Sequence, residues 1–295
     1  MKRLSLAFFL LIIVLSGPLN YGCVTHGHKI LRLSDGAELT LSQILDDLKG
    51  VRLVFVGELH TRKSHHMAQL AAIRALNESG TRLAIGLEMF RRENQKDLNR
   101  WINGEIPEEV FRKVYYDNWT FDWSLYRDIF LYARKQGIPM LGLNVPREIT
   151  QRVARQGFAS LTPEQIGELP HVSCNVDATY MEFIRRSFDA HAHAGMDFIH
   201  FCEAQIVWDT AMAWNLLAFL RQNPEATVVV LAGNGHAWKR GIPEQIQRQS
   251  PVTYRVILPE EPGRTEQEDI SSEDADYLWL KSQRHTPARS HQGDE

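Results

Sequence analysis

The chain has 295 residues, 44% of them hydrophobic and 23% charged, with a formal net charge of −3. That is the composition of a folded globular protein long enough to bury one substantial core. No basic face and no nucleic-acid motif is present, which excludes nucleic acid as a partner.

In chain order, Lys2 and Arg3 precede an apolar run from Leu4 to Leu15, interrupted by Ser16, Gly17 and Pro18. These are the n- and h-regions of a signal peptide, and the run is too short to span a bilayer. Gly22-Cys23 follows, a small residue before cysteine just after the h-region, as at the cleavage site of a bacterial lipoprotein. Residues 1–22 are therefore expected to be removed and Cys23 lipidated. Residues 23–38 read as a tether with one short strand, anchored to a membrane of the bacterial cell envelope. Cys174 and Cys202 then remain, to pair or to stand as isolated buried thiols.

Thr40-Leu41-Ser42-Gln43 is a capping box, opening a helix that ends near Gly50. The run Leu53-Val54-Phe55-Val56-Gly57-Glu58 reads as a strand buried on both faces of a parallel sheet. If strand geometry persists, Glu58 and His60 point to the same side. Thr61 is expected to cap the next helix, with Met67, Leu70, Ile73 and Leu76 as its apolar stripe and Gly80 as its stop. Leu83 to Phe90 is a second strand, carrying Glu88 near its end. A charged helix at 91–103 and a helix opened by Pro107 follow. The aromatic stretch 115–123 reads as a loop folded over something. A helix at 124–136 ends at Gly137, and 138–144 is a third strand finishing in Asn144. Residues 145–222 are mostly helical, an inserted layer that includes the capping box Thr162-Pro163-Glu164-Gln165. Ala226 to Ala232 is a strand ending in Gly233-Asn234-Gly235-His236, and Val252 to Leu258 is a fifth. Tyr277 to Leu280 reads as a short edge strand, and 281–295 as a disordered tail.

Strands alternating with helices predict a three-layer α/β/α fold: one domain over 39–280 with a mainly parallel central sheet. Ligands in such sheets bind beyond the carboxyl ends of the strands. Glu58, His60, Glu88, Asn144 and His236 all fall there and are expected to converge on one rim. Glu58, His60, Glu88 and His236 would suit a divalent metal such as Zn, Mn or Fe. Glu58 beside His60 would equally suit a general base acting on water, which makes a hydrolase the alternative reading. Gly57, Gly233 and Gly235 allow positive φ or close approach to a ligand. There is no dinucleotide fingerprint and no P-loop. Gln205 and Asp209, four apart, share a helical face turned to the pocket or to solvent. His65 and His66 read as solvated or turned inward. His191 and His193 end a helix.

Val56-Gly57-Glu58-Leu59-His60, Gly86-Leu87-Glu88-Met89-Phe90, Ala204-Gln205 with Trp208-Asp209 and Met212-Ala213, and Gly233-Asn234-Gly235-His236 together carry a resemblance. In matching order over roughly residues 50–280, they resemble the ChaN-like haem-binding uptake family, exported or lipid-anchored bacterial proteins associated with iron acquisition. Gly57-Glu58-Leu59-His60 is also similar to the Gly-x-x-His motif of the wider superfamily. That superfamily includes Tiki-type and TraB-type proteins and erythromycin esterases, several of them hydrolases. The resemblance implies haem held between two protomers of a homodimer, with a tyrosine on the iron, a ligation that suits ferric haem. Tyr180 is the choice over Tyr126, Tyr132 and Tyr254, with His60, His191, His236 and Gly235 about the haem. It further implies a lipid-anchored haem-binding protein for haem or iron uptake, with an outer-membrane receptor among its partners.

Overall fold

The computed structural model describes residues 28–169, 197–263 and 265–281, with 178, 180–182, 184 and 185. The expected signal peptide, Cys23, Cys174, His191, His193 and nearly all of the tail lie outside the described residues.

Eight strands form one sheet: β1 (Ile30–Arg32), β2 (Ala37–Leu39), β3 (Leu53–Glu58), β4 (Leu83–Arg91), β5 (Met140–Asn144), β6 (Thr227–Gly233), β7 (Tyr254–Pro259) and β8 (Tyr277–Trp279). Their order is β2-β1-β8-β7-β3-β6-β4-β5. All neighbours from β8 to β5 are parallel, while β1 pairs antiparallel with both β2 and β8. Every residue of β3 and β6 is buried, as central strands covered on both faces must be.

Strand alternation divides the core in two. Val54, Val56, Ile85, Leu87, Val229 and Leu231 face one layer, which holds the helices Leu41–Lys49, Lys63–Glu78 and Trp123–Gln136. Phe55, Ala84, Val228 and Val230 face the other, which holds the helices Phe198–Gln222 and Ile242–Gln247. This is the expected three-layer α/β/α fold. Arg147–Gln156 extends the second layer by packing on Phe198–Gln222 through Ile149, Val153, Ala204, Val207 and Ala211, with Leu161 and Leu169, on either side of the short helix Pro163–Gly167, in the same cluster. Both capping boxes form, at Thr40 and Thr162. Among the described residues, no helix is long and apolar enough to cross a membrane.

Four local expectations change. The segment read as a tether carries a β-hairpin at the sheet's end, two strands in place of one. Tyr277–Trp279 lies inside the sheet between β1 and β7, because that hairpin covers its free side. The helix after His60 starts at Lys63 with Arg62 at its N-cap, so Thr61 does not cap it. Met67 is 57% exposed, and the inner face is taken by His65, His66 and Gln69 together with Leu70, Ile73 and Leu76.

Candidate functional site

The site forms where β3, β6 and β4 end side by side. Glu58 has the strand parity of Val54 and Val56, so it leaves the sheet on the first face; Glu88 has the parity of Ala84 and Gly86 and leaves on the second. Glu58 is in register with Gly233 of the strand between them. Two carboxylates thus rise from opposite faces of the sheet around a residue with no side chain.

Glu58 is 1% exposed. Its Oε1 accepts from His60 Nδ1 at 2.7 Å and from the Tyr126 hydroxyl. Its Oε2 accepts from Gln69 Nε2 at 2.8 Å and faces His66 Nδ1 at 3.0 Å. Three donors and the facing His66 ring surround the two oxygens. Burial opposes its charge, but the bonds from His60 and His66 prevail and hold its pKa well below the carboxylate range. Glu58 is therefore a fixed anion that orients its neighbours. His66 Nε2 lies 3.1 Å from the His60 carbonyl oxygen, and His65 Nδ1 accepts from Leu59 N at 2.9 Å. Burial lowers the His65 pKa to about 4, so it is neutral and can accept that bond. Both histidines are structural clamps on the 58–60 turn, not solvated side chains.

His60 stands over the rim with 28% of its side chain exposed. Trp119 meets its ring edge-on at 4.9 Å between centroids and Phe121 at 4.8 Å. Tyr115 and Tyr116 belong to the helix Glu108–Asn118, so the predicted aromatic loop shortens to 119–122. What this loop folds over is His60. Burial disfavours charge on the imidazole, yet the Glu58 bond and the field of Glu88 raise its pKa.

On the second face, Glu88 Oε2 accepts from Gly233 N at 2.6 Å and its Oε1 lies 3.7 Å from His236 Nε2. Asn144 Nδ2 donates to the Glu88 carbonyl at 2.9 Å. His236 Nδ1 is 2.7 Å from Asp209 Oδ1, and the Tyr180 hydroxyl donates to Asp209 Oδ2 at 3.1 Å. Asp209 is fully buried, and burial raises its pKa to about 6 against the pull of His236. Burial opposes the His236 charge too, but Glu88 and Asp209 raise its pKa to about 9. At neutral pH this is a buried imidazolium–carboxylate pair.

Two imidazole–carboxylate pairs, Glu58–His60 and Asp209–His236, therefore flank Glu88. The four predicted residues converge, but not as a metal cage: among the described residues no three or more His, Cys, Asp or Glu side chains group to hold an ion. The oxygens of Glu58 are occupied, and His236 Nδ1 is turned to Asp209. Tyr180 is 2% exposed and built into the Asp209 pair. Gln205, four residues before Asp209, is buried as well. Cys202 is a buried free thiol, raised by burial to about 11.

Gly57, Gly233 and Gly235 are not among the glycines of positive φ. The first two serve by lack of bulk. A Cβ on Gly233 would meet His60 Cε1 at 2.9 Å, and one on Gly57 would meet Asn234 Oδ1 at 2.4 Å. Nothing crowds Gly235. Sequence reasoning missed Gln69, and it weighed Tyr126 only as an iron ligand, not as a donor to Glu58. The spacing of His66, Gln69, Ile73 and Leu76 on one helical face was the available signal for Gln69; Tyr126 had none.

Three comparisons bear on this geometry. The protein family described as "Haem-binding uptake, Tiki superfamily, ChaN" matches residues 44–246. The solved structure of ChaN from Campylobacter jejuni, described as showing cofacial haem binding to that protein, is similar with a TM-score of 0.68 and 18% identity, over 86% of this chain and 96% of the other. An Arabidopsis thaliana protein, RETICULATA-RELATED 5, chloroplastic, is 22% identical over 263 residues, 82% of this chain. The chain spans 36% of the length of that relative.

Proposed function

The chain belongs to the haem-binding uptake family of the Tiki superfamily, that of ChaN, and from this premise we propose that it binds haem at the rim around His60. Among the described site residues, the donor set at His60 fits the group. Its Nδ1 is held by a buried carboxylate, the arrangement that fixes the tautomer and basicity of metal-binding imidazoles. Its ring is partly exposed, and Trp119 and Phe121 beside it present apolar aromatic surface suited to a flat macrocycle. Tyr180 and His236, both buried against Asp209, back the site from below. Bound haem supplies an iron centre; the protein supplies its ligand, its apolar walls and the charge balance beneath.

The observation that carries this reading is a carboxylate-backed, aromatic-framed imidazole in a chain of this family. Hemin titration of the purified protein is expected to give a saturable Soret shift. His60→Ala is expected to weaken it at least tenfold, with the fold intact by circular dichroism. An unchanged titration in His60→Ala would remove His60 from the haem site.

The cellular setting belongs to the same proposal. The signal-peptide pattern and Gly22-Cys23 support export and lipid anchoring at the bacterial envelope, for haem or iron uptake with an outer-membrane receptor. The cofacial haem recorded for the Campylobacter protein supports a homodimer that forms about haem. Labelled fatty acid incorporated into the wild type but not Cys23→Ser tests the anchor. Sedimentation with and without hemin tests the dimer.

The same geometry would also suit the second reading, a hydrolase: two imidazole–carboxylate pairs flank Glu88, a layout suited to general acid–base chemistry. With Glu58 saturated, the base would be His60 or Glu88. Turnover of a panel of activated esters, abolished in Glu88→Gln, would favour it. No turnover by the haem-free protein would end it.

A further inference from the structure

Tyr126 lies on the helix Trp123–Gln136, 68 residues from Glu58 in sequence, and its ring is fully buried. Its hydroxyl donates to Glu58 Oε1, the same oxygen that receives His60 Nδ1. Gln69 and His66 occupy the other oxygen. The carboxylate cannot rotate without exchanging all four partners. Tyr126 is also held in its position, tilted over the His66 ring at 4.0 Å between centroids. The hydroxyl and the imidazole share one acceptor, so electron density drawn by the tyrosine is withheld from the histidine.

We infer that Tyr126 is a positioning residue for His60: it holds Glu58, whose carboxylate keeps the proton on His60 Nδ1 and leaves Nε2 as the atom offered to a ligand, and by sharing that carboxylate oxygen it moderates the electron density at Nε2. The inference deepens the haem reading for its effect on iron, but the hydrogen-bond relay itself exists in the haem-free protein. The direction of the effect follows from the shared acceptor. With the tyrosine hydroxyl gone, Glu58 Oε1 binds His60 Nδ1–H more strongly and the imidazole becomes a stronger donor. With the carboxylate neutralised, it becomes a weaker one.

Two readouts separate this inference from the haem proposal. In the haem-free protein, the His60 Nδ1–H proton is expected as a resolved downfield NMR resonance, assigned by its loss in His60→Gln. It should move further downfield in Tyr126→Phe and upfield in Glu58→Gln. In the hemin-loaded protein, the iron midpoint potential should fall in Tyr126→Phe and rise in Glu58→Gln. Gln69→Met, which removes a donor from the other oxygen, should shift both readouts in the direction of Tyr126→Phe but less, and covers the case in which Tyr126→Phe fails to fold. A His60 resonance unmoved in folded Tyr126→Phe and Gln69→Met would overturn the inference whether or not haem binds. A resonance that moves in a protein that takes up no hemin would uphold the relay and overturn only the haem reading.

Discussion

The Gly233 amide donates to Glu88 Oε2 at 2.6 Å, and this bond joins the two halves of the site across the end of the sheet. Glu88 belongs to the second face and His60 to the first, and they meet only because the residue between them has no side chain.

Gly233→Ala tests that meeting. The new Cβ would stand 2.9 Å from His60 Cε1 and 3.3 Å from Nε2, so the ring must move. Stability is expected to drop by about 1–3 kcal/mol, the usual cost of overpacking. Hemin affinity should fall at least tenfold, read from the same Soret titration. Wild-type affinity in a folded Gly233→Ala would show that His60 has room to shift without consequence.

Gly57→Ala is a purely structural counterpart. Its Cβ would lie 2.4 Å from Asn234 Oδ1 and 2.8 Å from Leu258 Cδ2, in a strand buried on both sides. A loss of about 1–3 kcal/mol in urea unfolding is expected. The unfolding midpoint should fall with an unchanged denaturant slope.

The Asp209–His236 pair should be costly to break from either side. Asp209→Ala leaves an imidazolium buried without its partner and is expected to destabilise by about 3–5 kcal/mol at neutral pH. Replacing both, as Asp209→Leu with His236→Leu, should cost less than the sum of the single changes. A double-mutant cycle in urea measures the coupling, and additive effects would show the pair to be energetically silent.

Stability should decline on both sides of neutrality, for reasons that separate by residue. The Glu58 pKa is depressed in the fold: burial works against the charge and the bonds from His60 and His66 outweigh it. Its contribution is present above the unfolded value near 4.5 and is lost as the pH falls below it. Asp209 and His236 are both raised. Asp209 works against the acid arm: its contribution is full below 3.8 and lost by about pH 6. That of His236 is full below 6.5 and lost as the pH climbs through about 9. Urea unfolding across pH 3–10 should show the acid arm flattened in Glu58→Gln and the arm from 6.5 to 9 flattened in His236→Asn.

By itself, the chain's pattern determined where the strands run and which residues end them. Apolar runs such as Val228-Val229-Val230-Leu231, closed by glycine, are local signals, and parallel strands carry their ends to one edge whatever the connections do. Glu58, His60, Glu88 and His236 were legible for that reason, as was the family likeness of the motifs around them. Tertiary structure alone decided that Glu58 and Glu88 leave opposite faces, and that Tyr126 and Gln69 saturate one carboxylate while Asp209 pairs with His236. It alone assigned Gly233 a role of space in place of backbone angle, and set the 277–279 strand inside the sheet. Hydrogen bonds depend on ångström separations between elements far apart in the chain, and periodicity within one element carries no information about them.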